Sequence, residues 1–256
     1  MTQGPIRRST AVSGNRSGDN PARGRKNRRT SVSSTSPFRG VIAIDGPSGS
    51  GKSSVSRRIA TELGTACLDT GAMYRAATLA VLRSGVSLTD QATITKVVET
   101  ARLEFGTTPQ DRYTRLDGDN VDAEIRGEEV TSKVSAVSGV PEVRRHLIGV
   151  QRDIIASADH GIVVEGRDIG EVVAPDADVK VYLTADPIER ARRRSSQTGG
   201  DLTTTAADLT RRDTADARTT RPHDAAPGAV VLDTTHLDLD QVVTALHELI
   251  AHKETA

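Results

Sequence analysis

Gly46, Pro47, Ser48, Gly49, Ser50, Gly51, Lys52 and Ser53 fit the spacing Gly-x4-Gly-Lys-Ser/Thr. Glycines at those places let the backbone fold tightly and turn several N–H groups onto the oxygens of a phosphate chain. A helix starting near Lys52 would add its partial positive N-terminus. Lys52 has the reach for β and γ phosphates, and the Ser53 hydroxyl suits the magnesium they carry. Ser54 closes the candidate nucleoside-triphosphate site, and Lys52 is expected to be an exposed, functional lysine.

Three further groups of residues could do chemistry. Asp69-Thr70-Gly71-Ala72-Met73-Tyr74-Arg75 stands at a helix start, where an arginine can hold a second phosphate bidentately and a tyrosine can form a stacking wall. Taken alone, the same two residues read equally well as an exposed arginine and a core tyrosine. Glu165-Gly166-Arg167-Asp168 follows an apolar run, at the strand end where open α/β sheets place their ligands. The acid there could hold magnesium through water; otherwise Arg167 is one half of a structural ion pair. Arginines are also dense on the helices flanking 195–201, as catalytic charge over the phosphate loop or as a solvated face.

The elements that must position these groups alternate. Val41 to Asp45 reads as a buried strand before the glycine loop and Ser54 to Leu63 as the helix after it. Ala66 to Asp69 is a short strand, followed by a helix through Leu82 and another at about 89–101. The period then changes. Arg102 to Phe105, Tyr113 to Leu116 and Val121 to Ile125 read as short antiparallel strands, with a turn at Asp117-Gly118-Asp119-Asn120. This patch is an insert in an otherwise β/α chain. Helices follow at about 128–138 and 141–157, strands at Gly161 to Gly166 and Val179 to Leu183, an arginine-dense helix from Pro187, and a charged helix at about 203–219. A strand at Ala229 to Leu232 and a helix at Leu239 to Ala251 end the pattern. The fold class is therefore α/β, a parallel sheet covered by helices on both faces.

Composition bounds the rest. The 256 residues balance to a formal net charge of zero, but residues 1–40 alone sum to +8 and the remainder to −8. Residues 1–37 lack apolar periodicity and are expected to be a disordered basic tail; a targeting segment or a nucleic-acid arm are the other readings. The single cysteine, Cys67, excludes an internal disulfide and a cysteine-built zinc site. No apolar run approaches the roughly 18 residues a spanning helix needs. The balance points to a soluble protein of a reducing compartment, the cytoplasm, with no membrane partner.

Together these residues resemble bacterial cytidylate kinase, a nucleoside monophosphate kinase family of P-loop proteins. The resemblance covers about 38–254. It rests on Ile44 to Ser53, on Leu68-Asp69-Thr70-Gly71-Ala72-Met73-Tyr74-Arg75, and on Gly166-Arg167-Asp168-Ile169-Gly170 with Pro175-Asp176-Ala177. It implies a monomer that moves the γ-phosphate of ATP to CMP and dCMP with magnesium, and that does not act on nucleic acid. A P-loop kinase for another monophosphate or small metabolite is the alternative. A GTPase is disfavoured, since no Asn-Lys-x-Asp guanine reader occurs.

The resemblance also implies a monophosphate-binding insert at about 97–133, holding the small antiparallel sheet, and a short lid at about 192–218. By position, Gly46 to Ser54 would hold ATP, with Ser53 on the metal. Lys52, Arg75 and Arg167 would serve the transfer, the two arginines gripping the CMP phosphate. Thr70 and Tyr74 would line the nucleoside site, Ser135, Arg144 and Asp168 would read cytosine, and Arg212 and Asp216 would meet the ribose. The family usually has one more arginine three residues beyond that aspartate. Here that place is Thr219, with Arg218 and Arg221 beside it, and Arg218 is the favoured substitute.

Overall fold

The computed structural model describes residues 38–218, 220 and 225–254. The expected tail, Thr219 and Arg221 lie outside the described residues.

Strand β1, Val41–Asp45, is the centre of a five-stranded sheet. Its neighbours are β6 (Ile162–Glu165) and β7 (Val179–Thr184), with β2 (Ala66–Asp69) and β8 (Val230–Asp233) at the edges. All of the pairings are parallel, and the register sets Ile44 beside Glu165 and Asp45 beside Tyr182. The two-residue alternation of β1 divides the core. Ile42 and Ile44 pack with Val55 and Ile59 of helix α1, Lys52–Leu63, and with Val242 and Leu246 of α8, Leu239–Glu254. Ala43 packs the other way, with Val164, Met73 and the partly buried Ile148 and Ile154. Met73 belongs to α2, Thr70–Ser84, and the two isoleucines to α5, Pro141–Ala156. Helices on both faces of a parallel sheet are what the alternation predicted.

The insert is built on α2. Its partners are α3, Gln91–Thr100, and α4, Glu128–Ser138, with a three-stranded antiparallel sheet of β3 (Leu103–Phe105), β4 (Thr114–Leu116) and β5 (Asp119–Asn120). Ala76, Leu79, Leu116, Val121, Ile125 and Val130 close a second core there.

One expected strand is absent. Val121 to Ile125 leads into a 3-10 turn at Glu124–Arg126, and the Ile125 N–H donates to the Val121 carbonyl at 2.9 Å. Both apolar side chains are buried, and a spacing of four residues satisfies a helical turn as well as a strand. The turn before it is also shorter than expected. Asp117 and Gly118, with φ of 55° and 97°, make it alone, and Asp119–Asn120 already pairs with β4.

Helices α6, Pro187–Thr198, and α7, Leu202–Asp216, complete the chain order. Each opens on an aspartate whose carboxylate accepts backbone N–H groups of the first turn: Asp186 from Ile188 and Glu189, Asp201 from Thr204.

Candidate active site

The ends of β1, β2 and β6 converge on a cleft of about 460 Å³. Its floor is the glycine loop, which leaves β1 at Asp45. Gly46 has φ of 145°, and a Cβ there would lie 2.1 Å from the Leu183 carbonyl oxygen, so no other residue fits. Helix α1 starts at Lys52, as the phosphate-loop reading expected, with Gly51 as its left-handed cap.

Lys52 is buried, at 8% exposure, rather than exposed as expected. Its Nζ donates to the Pro47 carbonyl at 2.8 Å, a partner inside its own loop. Burial first, and then the Arg167 charge, push its pKa below the usual lysine range. Across from it, burial and the nearby Asp69 push the Glu165 carboxyl up, while a hydrogen bond from Ser53 opposes the shift. That bond runs from Ser53 Oγ to Glu165 Oε2 at 2.7 Å. The other oxygen, Oε1, is buried with no hydrogen-bond partner.

The second wall comes from α2 and the end of β6. Thr70 Oγ1 donates to the Glu165 carbonyl at 2.7 Å, which locks the start of α2 onto β6. Tyr74 lines the cleft, with the Arg144 guanidinium 5.8 Å from its ring centroid. Arg75 donates to the Ile125 carbonyl at 3.0 Å and to Thr131 Oγ1 at 2.7 Å, so the insert holds it in place. Asp168 is ion-paired with Arg144, both largely covered. Burial raises the Asp168 pKa and the Arg144 charge opposes that shift. Arg167 pairs instead with Asp216 at 3.0 Å and donates to the Gly46 carbonyl at 2.7 Å. Ser135 Oγ donates to the other oxygen of Asp216 at 3.4 Å. The structure therefore forms two groups, Ser135–Asp216–Arg167 and Arg144–Asp168, joined through the neighbouring chain positions 167 and 168. The ion pair weighed for Arg167 exists, with Asp216 as the partner.

Arg212 lines the same cleft beside Asp216, and Arg126, Arg193 and Arg194 add to it. Burial and neighbouring arginines push Arg75 down to about 9 and Arg212 down to about 10. Both values leave the groups charged at neutral pH. Desolvated cations crowded together in a cleft call for polyanions. Arg218 sits exposed beyond the end of α7 and is not among the residues lining the cleft.

Sequence reasoning missed Asp45, whose two oxygens accept the Ile169 and Gly170 N–H groups at 2.8 Å each. This carboxylate ties the strand before the glycine loop to the backbone just after Asp168. It also missed Arg126 and Asp213; neither lies in a recognisable string, and no local signal would have found them.

The cytidylate kinase family profile matches residues 42–252. The chain belongs to the cytidylate kinase family. Within that family, it is 54% identical over 219 residues to the cytidylate kinase of Nocardia farcinica, covering 83% of this chain and 94% of that protein. It is 48% identical over 218 residues to the cytidylate kinase of Streptomyces avermitilis, covering 84% and 94% of the two chains. Among solved structures, a gluconokinase from Sinorhizobium meliloti 1021 aligns with a TM-score of 0.49 at 19% identity, over 86% of this chain and 96% of that one; the family assignment does not depend on it.

Proposed function

We propose that this protein transfers the γ-phosphoryl group of ATP to CMP and dCMP, giving CDP or dCDP and ADP. The observation that carries the reading is the hydrogen bond from Arg167 to the Gly46 carbonyl, next to the Arg144–Asp168 pair. It joins the candidate base reader to the triphosphate loop through adjacent residues of one strand end, with a cationic cleft between them.

Gly46 to Ser54 hold the ATP phosphates through backbone N–H groups, the α1 N-terminus and Lys52. Arg75 and Arg167 grip the CMP phosphate. Thr70 and Tyr74 line the nucleoside pocket. Ser135, Arg144 and Asp168 read cytosine, the carboxylate accepting from an exocyclic amine that uracil lacks. Arg212 and Asp216 meet the ribose, and Arg218 adds lid charge. The acceptor insert spans about 97–133 and the lid about 192–218. The enzyme works as a monomer in the cytoplasm; among the described residues no helix is long and apolar enough to cross a membrane.

The residues present fit magnesium. Ser53 Oγ and Glu165 make an oxygen donor set, and the orphaned, buried Glu165 Oε1 is an acceptor with capacity to spare. Magnesium bound with ATP would supply charge neutralisation on the β and γ phosphates. The chain does the rest by positioning. The attacking CMP oxygen is already anionic, so no strong general base is needed; Arg75, Arg167 and Lys52 align donor and acceptor and offset their charge. Covering the cleft limits transfer to water.

A coupled ADP-release assay with CMP, dCMP, UMP and AMP tests the reading. CMP and dCMP should give the highest kcat/KM. A higher value for another acceptor would replace this function with that of a P-loop kinase of different specificity.

A further inference from the structure

The segment between β3 and β4 docks on the free edge of the large sheet. The Cys67 N–H of edge strand β2 donates to the Thr107 carbonyl at 2.8 Å. From that segment Arg112 turns inward, its side chain only 19% exposed. Its Nη1 lies 3.7 Å from Glu165 Oε1 and 3.6 Å from Cys67 Sγ. Among the described residues it is the one cation within ion-pair distance of Glu165.

The Glu165 carboxylate is thus approached from two sides. Ser53, the residue after the phosphate-binding lysine, donates to Oε2. The insert presents Arg112 to Oε1, the oxygen that has no hydrogen bond. At 3.7 Å the approach is a charge contact and not a hydrogen bond, which leaves Oε1 free to accept another ligand. A buried carboxylate without a counter-charge is costly, so the arginine also makes an ionised Glu165 tolerable there. A cavity of about 260 Å³ lined by Arg112, Gln110 and Tyr113 gives the guanidinium room to swing away.

We infer that Arg112 is a positioning residue: it holds the Glu165 carboxylate in the orientation in which that group, together with Ser53, receives the magnesium carried by ATP, and so ties the metal side of the donor site to the acceptor insert. The inference rests on the proposed role of Glu165 toward magnesium.

The test is calorimetric titration of the full chain with ATP, in excess magnesium and again in EDTA, without any acceptor. It compares wild type with Arg112→Gln, Arg112→Lys and Glu165→Gln. Glutamine keeps the length of the arginine stem without its charge, and the lysine variant keeps a charge. Arg112→Gln and Glu165→Gln should each weaken magnesium-dependent ATP binding on the order of tenfold, as loss of a residue behind a metal ligand does. ATP binding in EDTA should stay at wild-type strength, and Arg112→Lys should recover part of the loss. If Glu165→Gln weakens binding and Arg112→Gln does not, the inference fails and the role of Glu165 stands. If Glu165→Gln binds magnesium–ATP like wild type, both fail. An equal loss with and without magnesium in Arg112→Gln makes Arg112 a packing residue and overturns the inference. Arg112→Lys serves the same comparison if the glutamine variant does not fold.

Discussion

Arg190 and Asp213 form a buried ion pair at 2.5 Å, and both also hold the Ser48 peptide of the phosphate loop. Asp213 Oδ1 accepts the Ser48 N–H at 3.2 Å, and Arg190 Nη1 donates to the Ser48 carbonyl at 2.9 Å. Helices α6 and α7 are thereby fastened to the glycine loop. Removing one partner leaves a buried charge unopposed, so Asp213→Ala should cost about 3–5 kcal/mol. Asp208→Ala, which breaks the exposed Arg211–Asp208 pair, should cost under about 1 kcal/mol. Urea unfolding of the two variants checks this, and equal midpoints would mean that the buried pair adds nothing to the fold. The loosened loop should also raise KM for ATP in Asp213→Ala.

Lys52→Met should keep the fold and lose at least about a hundredfold in kcat, the scale of removing one preorganised charge from a transferring group. Burial depresses the Lys52 pKa, so the uncharged replacement is relieved of a desolvation cost even as it loses the Pro47 hydrogen bond. The measurements are ADP release and a thermal melt on the same preparation. Wild-type turnover from a folded variant would remove Lys52 from the mechanism.

Asp168→Asn should lower kcat/KM for CMP at least tenfold, about 1.4 kcal/mol, and should affect UMP much less. An amide can donate to the uracil carbonyl, which an anion cannot. The pairing with Arg144 makes a second outcome readable. If CMP and UMP rates fall together and their ratio holds, Asp168 only orients Arg144.

Burial pushes the Cys67 thiol up from its ordinary value of 9.0 to about 12. The sign follows from proton binding. Between these two values the unfolded chain loses the thiol proton and the folded chain keeps it. Stability from this group is complete below about pH 9 and is lost as pH rises towards about 12. Cys67→Ala should therefore show a shallower fall of unfolding free energy between about pH 8.5 and about pH 10.5 than wild type. Parallel curves for the two proteins would show that the thiol titrates alike folded and unfolded.

The sequence by itself determined the glycine loop between strand and helix, the α/β alternation, and the strings Asp69 to Arg75 and Gly166 to Gly170 that mark the family. These are local signals, because steric freedom at glycine and the two periods of apolar residues act over a few neighbouring positions. Where both periods fit, as with Val121 and Ile125, local reasoning chose the wrong element. The tertiary structure alone decided the partners. Arg190 meets Asp213 across 23 positions, Arg144 meets Asp168 across 24, and Arg167 meets Asp216 across 49. It also decided that Lys52 is buried and that Arg112 reaches Glu165. Arginine and carboxylate side chains carry no periodic signature of the partner they will meet. Which pair forms depends on how α6, α7 and the insert pack against the strand ends, and the same packing sets the desolvation that shifts their charges.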